Sequence, residues 1–228
     1  MMFDENVWQI VLLSLRVAGI AILVALPVAF IVAWLLARFQ FPGKSLVQAI
    51  VTMPLVLPPV VTGYFLLILF GARGALGGPL QEWLGLSFSF RWTGASLAAG
   101  VMAFPLLVRP IRLSIEGLDR GLEEAARTLG ANRLVAFFTV VLPPLLPGVL
   151  AGAVLGFAKA LGEFGATITF VSNIPGETQT LSLAIYSLLQ TPSGDAAALR
   201  LIAISASISI AAVVLSEWLQ RRLTREAK

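Results

Sequence analysis

Two ionisable residues stand inside one long apolar stretch of this 228-residue chain, Lys159 and Glu163, four positions apart. At helical spacing they share a face. A lone charge at the centre of a bilayer costs about 2.5 to 3.5 kcal/mol on insertion scales, so such a pair has two uses. It can neutralise itself as a structural ion pair, or Lys159 can attract a dianion while Glu163 limits how tightly the dianion is held. Just beyond them, Thr167, Thr169, Ser172 and Asn173 carry hydroxyl and amide groups able to hydrogen-bond an oxyanion.

Other chemistries lose their usual residues. The chain has no cysteine and no histidine, which removes disulfides and thiolate metal sites and weakens zinc, haem and His-assisted hydrolase readings. Gly43-Lys44-Ser45 mimics the end of a phosphate-binding loop, but Arg38 stands where the first glycine belongs and the triplet follows an apolar segment. We read it as a turn.

The second polar constellation is Glu123, Glu124, Ala125, Ala126, Arg127, Thr128, Leu129 and Gly130. Leu122, Ala125, Ala126 and Leu129 recur at helical spacing as a face of small and aliphatic residues, and Glu123 and Arg127 sit four apart on the polar side. Asp119 can cap the start of this helix, and Gly130 suits the left-handed position that ends one. Asn132 can cap a second helix, expected to run through Phe137 and Phe138 until Pro143 and Pro144 stop it. The alanines would let another backbone approach closely. The alternative is an amphipathic helix lying on lipid headgroups.

The elements that position these residues are membrane spans. Hydrophobic residues make up 58% of the chain and charged residues only 12%, more apolar surface than a soluble domain can hide. Five stretches approach the length a helix needs to cross a hydrocarbon core of about 30 Å: about 8–37, 45–71, 93–108, 147–172 and 199–218. The third of these is short and clamped by Arg91 and Arg109. Trp8 and Trp218 suit the interfaces of the first and last. Asp4 and Glu5 at the start argue against a signal peptide.

Span two contains Pro54, Pro58 and Pro59, which must kink or break it, and exposed backbone at that depth should face the bundle interior or a pathway. It forms a bend lining a gate or a packing kink. In span four, Gly148, Gly152 and Gly156 lie four apart and Ala160 extends the row. Small residues so spaced let helices touch, either within one chain or across a pore between two copies. An apolar patch at 181–190 forms a possible extra short or re-entrant helix.

Eleven lysines and arginines fall on one side of these spans: Arg38 and Lys44, then Arg109, Arg112, Arg120, Arg127 and Arg133, then Arg221, Arg222, Arg225 and Lys228. Arg73, Arg91 and Arg200 fall on the other. The N-terminus is therefore expected outside and the C-terminus in the cytoplasm, with 109–141 a cytoplasmic loop. The net charge of +4 is topological and implies no nucleic acid.

Glu124-Ala125-Ala126, Gly130 and Leu142-Pro143 resemble the cytoplasmic signature of permease subunits of binding-protein-dependent ABC importers. The resemblance implies an all-α integral membrane protein of type I ABC importer permease (MetI-like) architecture, in the bacterial inner membrane. In that family the 109–141 loop carries the coupling helix, so Glu123, Glu124, Ala125, Ala126, Arg127, Leu129 and Gly130 would dock on a separate ATP-hydrolysing subunit. Ala160 to Thr167, followed by Ser172 to Thr178, is similar to molybdate permeases, and more loosely to sulfate and thiosulfate permeases. Lys159 departs from the arginine expected there, keeping charge but not bidentate recognition.

What the resemblance implies is a single permease domain over 1–228, a homodimer with two ATPase subunits and a periplasmic molybdate-binding protein. The chain itself would be no enzyme and bind no cofactor, ATP and Mg being used by the ATPase. Pro54, Pro58, Pro59, Gly152, Gly156, Lys159, Glu163 and Thr167 are the pathway or packing candidates. A sulfate, thiosulfate or tungstate permease of the same family, and an uncoupled channel or scaffold, are the alternatives.

Overall fold

The computed structural model describes residues 2–226; Lys228, one of the tail charges, lies outside them. The described residues form helices and connecting turns: α1 (Met2–Arg38), α2 (Lys44–Val56), α3 (Pro59–Phe70), α4 (Gly77–Leu84), α5 (Trp92–Glu116), α6 (Arg120–Thr128), α7 (Arg133–Ala136), α8 (Leu142–Leu161), α9 (Gly165–Val171), α10 (Leu181–Leu189) and α11 (Asp195–Glu226), with a π turn, Phe137–Val141, joining α7 to α8.

Among the described residues four helices are long and apolar enough to cross a membrane: Asn6–Arg38, Trp92–Glu116, Arg133–Leu161 and Asp195–Leu219. The pair α2 and α3, bent by 116°, adds a fifth if counted as one span.

Helix α5 is the axis of the bundle. Two thirds of its most apolar window is buried, against 11% for α11 at the periphery. The cause is its run of small residues, Gly94, Ala95, Ala98, Ala99, Gly100 and Ala103, all buried, which let α1 pack closely along it. A methyl on Gly100 would already touch Ala21 of α1. Near that seam the one charge inside the apolar part of α1, Arg16, lays its guanidinium 3.8 Å from the centre of the Trp92 ring, a cation–π contact that stabilises the cation.

The other face of α5 receives α8 through the glycine row. Gly148, Gly152, Gly156 and Ala160 are all buried. A Cβ on Gly152 would stand 3.0 Å from the Leu107 carbonyl oxygen, and one on Gly156 2.7 Å from the Leu107 side chain. The row is thus packed inside this chain.

Several boundaries differ from those read in the sequence. Span three does not stop near Val108 but continues through Pro110 to Glu116, where Arg112 and Glu116 form a 2.7 Å ion pair. The second helix of the polar loop does not stop at Pro143 and Pro144 either. The Leu142 N–H reaches back to the Phe137 carbonyl, five residues instead of four. This wider turn loosens the carbonyls four residues before each proline, so both fit at the start of α8. Span four is broken: α8 ends at Leu161 and α9 starts at Gly165.

The 181–190 patch is a helix whose Leu181, Leu183 and Ala184 are buried. Its first amide donates 2.7 Å to Ser14 Oγ on α1, which in turn donates to the Ile10 carbonyl. Gly43-Lys44-Ser45 is a turn: Gly43, at φ +87°, precedes α2, and Lys44 donates to the Phe39 carbonyl.

Candidate functional site

The polar segment from Asp119 to Asn132 is assembled by local hydrogen bonds. Asp119 Oδ1 accepts the Gly121 amide at 2.9 Å and caps α6; Asn132 Oδ1 accepts the Val135 amide at 2.8 Å and caps α7. Between them Gly130 adopts φ +91°, and the Ala131 amide closes back on the Ala126 carbonyl, so the chain reverses within three residues. Asp119→Ala and Asn132→Ala are each expected to cost about 1 kcal/mol of local helix stability, read as faster amide exchange confined to α6 or α7.

This segment turns its apolar residues outward. Leu122, Leu129 and Leu134 are 47%, 89% and 71% exposed, and Ala125 is exposed beside them. Helix α6 packs chiefly on the π turn and α7. Glu124, Arg127, Thr128, Ala131, Asn132 and Arg133 line an open depression of about 630 Å³. Glu123 and Arg127 form no ion pair, although their spacing allows one. This uncovered aliphatic side, with Glu124 and Arg127 beside it, is a surface for another molecule to cover.

The intramembrane site lies where two helix breaks meet. Pro54 is tolerated inside α2, but Leu57 and Pro58 leave the helical conformation and Pro59 opens α3 as its first residue. No residue of α2 is buried, and Val56 is 81% exposed. Of the two placements expected from the prolines, the bundle interior or a pathway, the break does not take the first within this chain: it faces an outer surface.

Helix α3 packs on α9. A Cβ on Gly63 would stand 2.5 Å from the Ala166 carbonyl oxygen, and one on Gly165 2.7 Å from Pro59 Cβ. The first turns of α3 and α9 are thus in backbone contact.

Glu163 sits in the second break. It is 3% exposed; one carboxylate oxygen accepts the Ala166 amide at 3.0 Å, at the start of α9, and the other accepts Lys159 Nζ at 2.5 Å. The charge is satisfied by a cation and by a helix N-terminus together. Thr167 is buried, 1% exposed, and lines no open surface of the chain.

The sequence places Lys159, Glu163, Pro58 and Pro59 in one neighbourhood only in part. It does not reveal Gly63 and Gly165 as the contact between the breaks. A signal is nonetheless there: Gly162 and Gly165 flank Glu163, and Gly63 is the one glycine of its helix.

Residues 11–225 match the family model described as binding-protein-dependent transport system inner membrane component. The molybdenum transport system permease protein ModB of Escherichia coli K12 is 55% identical over 226 residues, 99% of this chain and 98% of that protein. The protein of the same name from Haemophilus influenzae is 56% identical over 214 residues, 94% and 93% of the two chains. A bacterial ABC transporter involved in the import of the acidic polysaccharide alginate matches in structure with a TM-score of 0.73 at 20% identity, over 96% of this chain and 80% of that one.

Proposed function

Because the chain belongs to the binding-protein-dependent transport system inner membrane components, and has their type I importer permease fold, we propose that it is the permease subunit of an ATP-driven importer that carries molybdate across the inner membrane. The single observation carrying the substrate is the 55% identity to a molybdenum permease along nearly the whole of both chains. The chain is pore-forming and not itself an enzyme; ATP and Mg are used by a separate ATPase subunit.

Helix α6 is the docking element in this reading. Its support is the exposed aliphatic side formed by Leu122, Ala125 and Leu129, next to Glu124 and Arg127. Two copies of the chain enclose the pathway, two ATPase subunits grip the α6 helices, and a periplasmic binding protein delivers the oxyanion from the opposite side. Support for the second copy comes from the exposed, proline-broken α2–α3 pair, whose freed backbone needs protein or water beside it. ATP binding closes the ATPase pair, the α6 helices follow, and the breaks at Pro58 and Gly162 take up the change between inward-facing and outward-facing states.

Uptake of radiolabelled molybdate, in cells whose only molybdate permease is this chain, tests the assignment. Uptake is expected to persist in a large excess of sulfate. Loss of uptake under sulfate excess would move the chain to the sulfate permeases; uptake indifferent to ATP depletion would make it an uncoupled channel.

A further inference from the structure

We propose that Glu163 is a latch that fixes the angle between α8 and α9, and that Lys159 is the releasable partner for which an entering oxyanion competes. The proposal rests on the oxyanion-permease reading and assigns the sensing step within it.

The two oxygens of the carboxylate hold different elements. One holds the Ala166 amide at the start of α9; the other holds Lys159, in the last turn of α8. Between these anchors the backbone is interrupted: Gly162 ends α8 and Phe164 has φ −131° and ψ −56°. The main chain still ties Gly162 to the Ala158 carbonyl and Glu163 to the Ala160 carbonyl, so it is from Glu163 onward, to the Ala166 amide, that the side chain makes the link across the joint.

The two partners differ in access. The Glu163 side chain is 1% exposed and that of Lys159 is 30% exposed. A solute can reach the ammonium without reaching the carboxylate. Leu155, one turn before Lys159 on α8, and Gly162, which ends that helix, are exposed as well, and an ammonium at this depth belongs against water or a second chain rather than lipid. A dianion arriving there draws Lys159 from a single carboxylate, leaving Glu163 held by one amide. Because the surroundings are poorly solvated, that exchange of partners counts for more than it would at a protein surface.

What the joint moves is larger than α9. The first turn of α9 lies against the first turn of α3 at Gly63 and Pro59, and α3 itself begins at a break. Helix α9 packs on α3 and also on α5, so a change in the α8–α9 angle is passed to α3 and works against the contact with α5.

The test uses the whole importer in proteoliposomes, with its ATPase subunits and binding protein. The chain has no cysteine, so Leu155→Cys and Ile168→Cys place spin labels on α8 and α9 without a further change. In the otherwise unchanged chain the label distance is expected to be narrowly distributed without oxyanion and to shift when molybdate and binding protein are added. Glu163→Gln keeps an oxygen for the Ala166 amide and loses the charge. It is expected to broaden the distance without oxyanion and to raise basal ATP hydrolysis about five-fold, the low end of ordinary coupling between sites, so that stimulation by substrate falls. Lys159→Met should behave the same way, and Lys159→Arg should restore the narrow distance.

A narrow distance in Glu163→Gln, with basal and stimulated hydrolysis unchanged or lowered in proportion, overturns the latch; if that variant does not assemble, Lys159→Met decides on the same readouts. A molybdate-transporting wild-type complex whose label distance ignores molybdate overturns the competition. Failure of the wild type to transport molybdate counts against the transport reading alone, since the oxyanion-free distances still judge the latch.

Discussion

Gly63→Val is expected to abolish nearly all molybdate uptake. A Cβ at this position would stand 2.5 Å from the Ala166 carbonyl oxygen and 2.9 Å from both Ala166 Cα and Thr169 Cβ. Two of those three atoms are main chain, so no rotamer change relieves the clash. Overpacking of this kind costs about 1–3 kcal/mol for small insertions, and valine adds two methyl groups beyond the first. The helices can escape only by separating, which parts the two breaks from each other. Uptake should fall more than tenfold, a factor equivalent to about 1.4 kcal/mol, measured against the amount of chain in the membrane by immunoblot. Gly19→Ala is the control, because nothing lies within 4 Å of a Cβ there. Wild-type uptake in Gly63→Val would dispose of the α3–α9 contact as a working part.

Gly130→Val should uncouple transport while leaving the chain in the membrane. Nothing lies within 4 Å of a Cβ at Gly130, but its φ is +91°, a region that costs an ordinary L-residue about 1–2 kcal/mol and a β-branched one more. The perturbation is therefore one of backbone angle: α6 would be re-aimed relative to α7 while the buried core stays in place. Uptake is expected to drop roughly tenfold, on the order of 1.4 kcal/mol, with a normal amount of assembled complex and with ATP hydrolysis no longer responsive to substrate. Gly130→Asn should retain more, since asparagine visits this conformation most readily after glycine. ATP-dependent uptake at the wild-type rate in Gly130→Val would sink the docking role of α6.

The parts of this molecule legible in the sequence are those set by local rules. Composition marks the apolar spans, and Asp119, Gly130 and Asn132 mark the ends of α6 and α7, because caps and left-handed turns depend on a few adjacent residues. What the sequence hid depends on partners distant along the chain. The glycine row of α8 reads the same whether it meets α5 of its own chain or a second copy, and only the position of Leu107 decides. The α2–α3 prolines announce a break but not its 116° bend, nor that α9 covers the far side of α3. Pro143 and Pro144 look like a stop because helix rules assume four-residue hydrogen bonds, and the π turn suspends that rule for one turn.

That turn has a mechanical meaning. The helix Arg133–Leu161 carries one surplus residue beyond regular α geometry at Phe137–Val141, and each residue of an α-helix represents about 100° of rotation. Its two ends thus keep different angular phases, one matched to α5 and the other to α6. If the surplus residue migrated by a turn along the helix, the segment it crossed would swivel about the helix axis while the far end stayed seated. In the docking role proposed for α6, a push on that helix then enters the membrane as torsion, like a key turning, with little translation of the buried glycine face.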